Sequence, residues 1–324
     1  MTFAFDLKRA FAAIVIGRAG MDLYPFPDGA ETESAEQFVA GVGGSAGNIA
    51  VALSRQGYPA ALLGPLSEDS VGRFVRKNLA TYAVDTSRCR AVAGEFRTSL
   101  AICETRLEDS ETVFYRSTAA DLQLRAEDFD ASFIGNATVL IVTGTALAAE
   151  PSRTAALQAI ELARSARTFS ILDVDHRPVS WLSAEEASRV YSQAASRCDA
   201  VVGNDEEFAI IAGDAVHAIA AANRLVKEGR RFVIFKRGSS GSLTITARKT
   251  FKTGIFRVDA IKPFGAGDAF LGNFVAALLG GRDLEAAVTR ASAAAAYVVS
   301  RRGCASAMPT AAELDSFVQS HSIT

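Results

Sequence analysis

Four short apolar runs, separated by helix-length segments, restrict the possible folds of this chain more than any other feature. The runs are "TVLIVTG" (138–144), "FSILDVD" (169–175), "DAVVGN" (199–204) and "RFVIFKRG" (231–238). They are rich in β-branched residues and almost continuously apolar, which is typical of strands covered on both faces. The Ala- and Glu-rich segments 151–167 and 184–197 between them are long enough for crossover helices. The pattern predicts an α/β fold with a mostly parallel sheet flanked by helices.

The two ends of the chain fit the same architecture. "FAAIVIG" (11–17) predicts a first buried strand, because Arg18 interrupts it after seven residues and a transmembrane helix needs about 20. The segments 266–280 and 284–299 predict two consecutive helices near the C-terminus. We find no internal repeat and no linker, so we expect a single domain over residues 1–324.

The first 120 residues predict a second, smaller β element. "TSLAICE" (98–104) and "ETVFYRS" (111–117) alternate in polarity around a polar turn, as the two strands of a hairpin do. The stretch "YPFPDGAETES" (24–34) is rich in Pro, Gly and acids, and we expect it to be an exposed excursion from the core. We predict a small β-sheet lid built from segments near 23–44 and 95–118.

Composition excludes several classes of function. The 34 Lys and Arg against 36 Asp and Glu give a net charge of −2, so neither nucleic acid nor a membrane surface is an expected partner. Four cysteines without paired spacing predict reduced thiols in a cytoplasmic protein. The three histidines have neither metal-ligand nor triad spacing, and no G-x-x-x-x-G-K-[ST] motif occurs. Zinc hydrolysis, serine hydrolysis and P-loop chemistry are therefore not supported.

The stretch "IKPFGAGDAFLGNF" (261–274) places one acid behind three small residues, at the start of a helix-like run. The amides of Gly265, Ala266 and Gly267 would converge at the helix N-terminus, where free N–H groups and the helix dipole attract an anion. Asp268 would then be placed to take a proton from an alcohol that attacks a phosphate. The alternative is that Asp268 only caps the helix, and this stretch alone does not separate the two interpretations.

A second glycine-rich stretch, "GGSAGNIAVALSRQG" (43–57), precedes a predicted amphipathic helix. Gly43 and Gly44 permit a ligand to approach the backbone, and Asn48 offers a donor and an acceptor to hydroxyl groups. An ordinary glycine-rich helix entry is the alternative.

"GGSAGN" and "GAGDAFLG", in this order and at this spacing, resemble the signatures of the ribokinase-like, PfkB-type carbohydrate kinases. The resemblance covers nearly the whole chain. It implies a three-layer α/β/α core, a β-sheet lid over the sugar, and phosphorylation of a hydroxyl that depends on ATP and Mg²⁺. It gives Asp268 the role of catalytic base and Gly265, Ala266 and Gly267 the role of anion hole. It also implies a homodimer formed through the lid, as in many relatives, with a monomer, as in other relatives, as the alternative.

The resemblance also implies residues on the nucleotide side. "NDEE" (204–207) matches the family's N-x-x-E, in which Glu207 organises Mg²⁺ through water and Asn204 lies near the phosphates. "KRGSSG" (236–241) is similar to the nucleotide loop, with Gly238 and Gly241 as turn glycines and Lys236 facing the phosphates.

Two further positions follow from the resemblance. Asp22 in "GRAGMDLYP" lies where the family has an acid that binds sugar hydroxyls. Asp259 and the 300–306 loop lie where many members bind a monovalent cation, so the resemblance implies K⁺ near Asp259.

Three side chains, two of them arginines, restrict the class of substrate. Tyr115 and Arg116 fall on the predicted lid, and Arg177 follows a predicted strand. Arginine is suited to a bidentate contact with a carboxylate, which a neutral sugar lacks. These segments, and Lys262-Pro263-Phe264 in place of the family's usual Asp-Thr-x, resemble the kinases of 5-dehydro-2-deoxygluconate in myo-inositol breakdown.

Several alternatives remain open at this level. A 2-keto-3-deoxygluconate kinase would use the same arginines, and a fructokinase or ribokinase type would not need them. Each arginine has a structural salt bridge as its alternative role, and Arg177 also suits nucleotide phosphates. A sugar-binding regulator that has lost catalysis is the alternative from another class, although this chain keeps Asp268 and its glycines.

Overall fold

The computed structural model describes residues 3–324 and arranges their strands in one large and two smaller sheets. The strands are β1 (Phe11–Ile16), β2 (Gly20–Phe26), β3 (Gln37–Gly43), β4 (Ala60–Leu63), β5 (Leu66–Ser67), β6 (Ala91–Val92), β7 (Leu100–Cys103), β8 (Thr112–Tyr115), β9 (Ala137–Thr143), β10 (Phe169–Asp173), β11 (Ala200–Asn204), β12 (Phe232–Lys236), β13 (Ser242–Ile245) and β14 (Thr250–Thr253). The α-helices are α1 (Ser45–Arg55), α2 (Ser70–Thr81), α3 (Ala131–Gly135), α4 (Ser152–Ser165), α5 (Ala184–Arg197), α6 (Asp205–Ala212), α7 (Ala218–Lys227), α8 (Ala266–Leu279), α9 (Leu284–Val299) and α10 (Ala311–Ser320).

The large sheet has the order β14-β13-β12-β11-β10-β9-β1-β4. Its strands pair in parallel from β4 to β12, and only the edge strands β13 and β14 are antiparallel. The four apolar runs form β9 to β12, and the segments between them contain α4 and α5, so the predicted α/β class is confirmed. The antiparallel edge was not predicted.

The runs are continuously apolar because both faces of the large sheet are buried. Val139 and Ile141 belong to one hydrophobic cluster, whereas Leu140 and Val142 belong to a second cluster on the opposite face. Residues of α1, α8 and α9 complete the first cluster, and residues of α4, α5 and α7 complete the second. Alternate side chains of a strand point to opposite faces, so apolar residues are needed at every position.

The lid sequences form a four-stranded sheet of the order β3-β2-β7-β8. The hairpin of β7 and β8 pairs Leu100 with Tyr115, as the alternation predicted. The expectation that all of 24–34 is an exposed excursion is wrong at its start, because Tyr24 lies inside β2 and is buried. No helix within residues 3–324 has the length and apolar character to cross a membrane.

Candidate active site

The candidate residues gather at the edge of the large sheet where the parallel strands end. Asp173 closes β10, Asn204 closes β11 and Lys236 closes β12. The first turn of α8, with Asp268, and the first turns of α1, with Asn48, lie at the same edge. Open α/β sheets bind their ligands at this edge.

Helix α8 begins without a side-chain cap. Its N-cap is Gly265, whose φ of +86° lies in the left-handed region that favours glycine, and no side chain accepts a hydrogen bond from the first turn. Asp268 therefore does not act as the cap, and the alternative left open by the sequence is not supported. Uncapped amides at the start of a 14-residue helix form an anion site.

The two signature motifs meet in one hydrogen bond. Asn48 donates from Nδ2 to Oδ2 of Asp268 at 2.7 Å, across 220 residues of sequence. Helices α1 and α8 are in close contact, since a Cβ atom added to Gly272 would lie 2.5 Å from the Cβ of Ala52. The side-chain oxygen of Asn48 is buried without a partner, so it is free to accept a hydrogen bond from a ligand.

Burial, together with the charge of Asp175, raises the pKa of Asp268 to about 6. The hydrogen bond from Asn48 and the charges of Arg177 and Lys236 act in the opposite direction. A carboxyl with a pKa near neutrality is ionised at pH 7 and still accepts a proton readily, which suits a general base.

Asp22, on β2, packs closely against the first glycines of "GGSAGN", where β3 of the lid sheet ends. Asp22 is buried and accepts a hydrogen bond from the hydroxyl of Tyr24 at 3.0 Å. A Cβ atom on Gly43 would lie 2.0 Å from Oδ2 of Asp22, so only glycine leaves room for this carboxylate. Gly44 makes a similarly close approach to the backbone oxygen of Arg18.

Lys236 connects the predicted nucleotide loop to α8. Its Nζ lies 3.7 Å from Oδ1 of Asp173, and a Cβ atom on Gly267 would lie 3.4 Å from it. Burial lowers the pKa of Lys236, but the surrounding carboxylates outweigh this effect and raise it overall. Gly238 and Gly241 have positive φ in the turn that follows. A charged ammonium therefore lies beside the N-terminus of α8.

Two acids that the sequence analysis did not select lie in the same place. Oδ1 of Asp173 and Oδ2 of Asp175 are buried without hydrogen-bond partners, and burial raises the pKa of Asp173. Asp173 is the last residue of the buried strand β10 and Asp175 lies two residues beyond it, which is the signal that could have identified them. Both side-chain oxygens of Glu207 accept hydrogen bonds from backbone amides, that of His176 at 3.2 Å and that of Asn204 at 2.7 Å.

Two of the three arginines near the site already have a carboxylate partner. Arg116 makes a bidentate ion pair with Asp121, at 2.7 Å for both contacts. Arg177 is half-exposed and lies 2.8 Å from Asp175. Tyr115 is 61% exposed. The structure thus gives Arg116 the structural role that the sequence analysis had kept as its alternative.

Arg18 differs from the other two arginines. Its side chain is buried, with 6% of the residue exposed, and Nη1 has no hydrogen-bond partner among the described residues. The guanidinium lies over the ring of Phe114 on the lid, 5.5 Å from the ring centre. Its charge lowers the pKa of Asp22, against the larger effect of burial. In the sequence, Arg18 is recognisable only as the residue that ends the first apolar run, so its place in the site was not predicted.

Comparison with known proteins agrees with this geometry. The model of the "pfkB family carbohydrate kinase" matches residues 12–311. The chain belongs to this family. It is 39% identical over 321 residues to a protein named 5-dehydro-2-deoxygluconokinase from Photobacterium profundum, covering 98% of this chain and 97% of that protein.

Solved structures of other kinases share the fold. A putative ribokinase II from E. coli, in complex with ATP and Mg²⁺, superposes with a TM-score of 0.85 at 23% identity, covering 96% of this chain and all of that one. A fructokinase double mutant from Vibrio cholerae O395, bound to fructose, ADP and a potassium ion, gives a TM-score of 0.81 at 24% identity, with coverages of 96% and 99%. The ribokinase-like α/β fold is therefore confirmed.

Proposed function

We propose that the chain is an ATP-dependent kinase that transfers the γ-phosphate to the primary hydroxyl of 5-dehydro-2-deoxy-D-gluconate, a sugar acid of myo-inositol catabolism. The hydrogen bond between Asn48 and Asp268, at the uncapped N-terminus of α8, is the observation that carries the proposal. The name of the relative from Photobacterium profundum supports the choice of sugar.

The proposed chemistry follows from the position of Asp268. Asp268 takes the proton of the sugar hydroxyl as that oxygen attacks phosphorus, and Asn48 holds the carboxylate in one orientation. The amides of Gly265, Ala266 and Gly267 stabilise the negative charge on the transferred group. The ammonium of Lys236, next to Gly267, adds a positive charge on the nucleotide side.

The acidic cluster fits a hydrated Mg²⁺ ion bound with the nucleotide. Mg²⁺ retains several waters and needs few direct protein ligands, and the unpartnered oxygens of Asp173 and Asp175 are suited to accept hydrogen bonds from such waters. Glu207 borders the same cluster, and Asn204, Gly238 and Gly241 line the nucleotide side. Bound Mg²⁺ would neutralise charge on the phosphates during transfer.

The sugar carboxylate is assigned to Arg18 rather than to Arg116 or Arg177. Arg18 is buried with an unused Nη1 donor and, unlike Arg116 and Arg177, has no carboxylate at ion-pair distance among the described residues. Its charge lowers the pKa of Asp22, and it contacts the lid through Phe114. Asp22 and the Asn48 oxygen would bind sugar hydroxyls. Tyr115 is not assigned to the sugar, because the strand register places it on the face of the lid sheet opposite Asp22.

The product tests the proposal. Purified enzyme with ATP, Mg²⁺ and 5-dehydro-2-deoxygluconate should release ADP and form a phosphate monoester on the primary carbon, seen by ³¹P NMR coupling to two protons. Phosphate on a secondary carbon, or ADP release without a sugar phosphate, would contradict the proposed function.

The rate should depend on pH through Asp268. Because burial raises its pKa to about 6 and the base acts when deprotonated, kcat/KM should rise with pH through about 6 and then level off. Asn48→Ala removes the hydrogen bond that lowers this pKa. The rise of kcat/KM with pH should therefore move to higher pH in this variant. If kcat/KM of Asn48→Ala rose at the same pH as that of wild type, a group other than Asp268 would control the pH dependence of the rate.

We also propose that the lid mediates a homodimer in the cytoplasm. Phe38 and Tyr115 are exposed on the face of the lid sheet opposite Asp22, and such apolar side chains suit contact with a second copy. Phe38→Glu should convert a dimer into a monomer in sedimentation velocity, whereas monomeric wild-type protein would exclude the dimer.

The four cysteines are free and buried in the described chain, which supports a reducing compartment, testable by cell fractionation.

A further inference from the structure

Lys262 is a lysine in an unusual environment. It is 0% exposed and is among the largest fully buried side chains in the described residues. Lysine is almost never fully buried unless its charge has partners. The residue follows Asp259, which is exposed, by only three positions.

The ammonium of Lys262 lies beneath the turn that begins α8. Its Nζ donates to the backbone oxygen of Phe264 at 2.8 Å and lies 4.9 Å from the centre of the Phe264 ring. A Cβ atom on Gly265 would lie 3.2 Å from this Nζ and 3.2 Å from Sγ of Cys304. Lys262 therefore lies between the proposed anion hole and the 300–306 loop, where the family resemblance implied a monovalent cation.

The surrounding charges favour a positive ion at this position. Burial lowers the pKa of Lys262 overall, and the charges of Asp268 and Asp22 act against this effect without cancelling it. Burial also raises the pKa of Cys304, so its thiol is neutral. The two carboxylates belong to the proposed catalytic and sugar sites, so the charge of Lys262 acts on both.

We infer that the Lys262 ammonium is a built-in cation that takes the place of a bound monovalent ion, and that this kinase does not require K⁺. A positive charge directly below the α8 amides strengthens the anion hole. A second cation in the same space would be repelled by Lys262 and would find one of the local backbone oxygens, that of Phe264, already bonded. The expectation of a K⁺ site at Asp259 is thereby replaced. The inference depends on kinase activity but not on the identity of the sugar.

The first experiment uses the wild-type enzyme and needs no variant. Turnover should change by less than about two-fold when about 100 mM KCl replaces tetramethylammonium chloride at constant ionic strength. The melting temperature with Mg-ADP should also be the same in both salts, because an ion that binds only the folded state would raise it. A several-fold activation by K⁺, or a melting temperature that rises with K⁺, would overturn the inference. The melting measurement decides the question even if the proposed sugar is not a substrate.

The second experiment removes the charge. Lys262→Met, which keeps the apolar stem, should lower kcat by about 10²-fold while the Kd of Mg-ADP and the far-UV circular dichroism stay close to wild type. Lys252→Met, at an exposed lysine on β14, is the matched control and should not change kcat. A folded Lys262→Met enzyme with wild-type kcat would overturn the inference. If this variant does not fold, the wild-type comparison in K⁺ and tetramethylammonium decides alone.

Discussion

Asp268→Asn is expected to lower kcat by about 10²- to 10⁴-fold, the range for loss of a general base. The side chain keeps its size, and its oxygen can still accept the hydrogen bond from Asn48, so the local geometry should be preserved. The Kd of Mg-ADP should change little, because Asp268 is assigned to the sugar hydroxyl. Steady-state kinetics and calorimetric titration of Mg-ADP measure the two quantities separately.

The stability of this variant provides its control. The folded-state pKa of Asp268 is raised from 3.8 to about 6, so ionisation of this carboxyl lowers the stability of the folded state, and the full cost is reached above pH 6. The contribution of Asp268 to wild-type stability should therefore decrease as pH rises from 4 to 6, and at pH 8 Asp268→Asn should melt at the same or a higher temperature than wild type. The exposed Asp214→Asn should keep full turnover. Near-wild-type turnover in a folded Asp268→Asn enzyme would remove Asp268 as the base.

Arg18→Met is expected to lower kcat/KM for the sugar acid by about 10²- to 10³-fold, as loss of a buried, hydrogen-bonded charge pair does. The residual rate with a neutral sugar such as fructose should change by less than about three-fold, because no carboxylate is present. Arg18→Lys keeps the charge but loses the bidentate contact, and its rate should lie between those of Arg18→Met and wild type.

Two variants separate this role from a structural one. Arg164→Met, at an exposed arginine, should not affect either substrate. Arg116→Met should lower the melting temperature, because it leaves the buried Asp121 without its partner. If Arg18→Met reduced the rates with the acid and the neutral sugar equally, Arg18 would not be the carboxylate contact.

The sequence predicted the elements whose pattern is local. The runs that became β9 to β12 were identified because both faces of the sheet are buried, which leaves an apolar residue at each position. The edge strands β13 and β14 were missed, since an antiparallel edge has no such continuous pattern. Asn48 and Asp268 were selected from separate motifs, but their contact depends on the packing of α1 against α8.

The roles of charged residues were harder to predict. Arg116 has the expected side chain for a carboxylate, but whether Asp121 or a ligand supplies that carboxylate depends on the folded lid. Lys262 was noted only because it departs from the family pattern. Its burial was not predicted, because nothing in the sequence indicates it. The free Nη1 donor of Arg18 likewise follows from the tertiary structure, which places the guanidinium over the ring of Phe114 and lets its charge act on Asp22.

The central claim, a kinase specific for a keto-deoxy sugar acid, is tested most directly by comparing kcat/KM across substrates. ADP release should be measured with 5-dehydro-2-deoxygluconate, 2-keto-3-deoxygluconate, fructose and ribose under the same conditions. We expect 5-dehydro-2-deoxygluconate to be turned over best and the neutral sugars to be at least about 10²-fold poorer, because they leave the Arg18 guanidinium unpaired. Equal or better turnover of 2-keto-3-deoxygluconate would contradict the choice of sugar, and equal turnover of fructose or ribose would contradict the sugar-acid specificity.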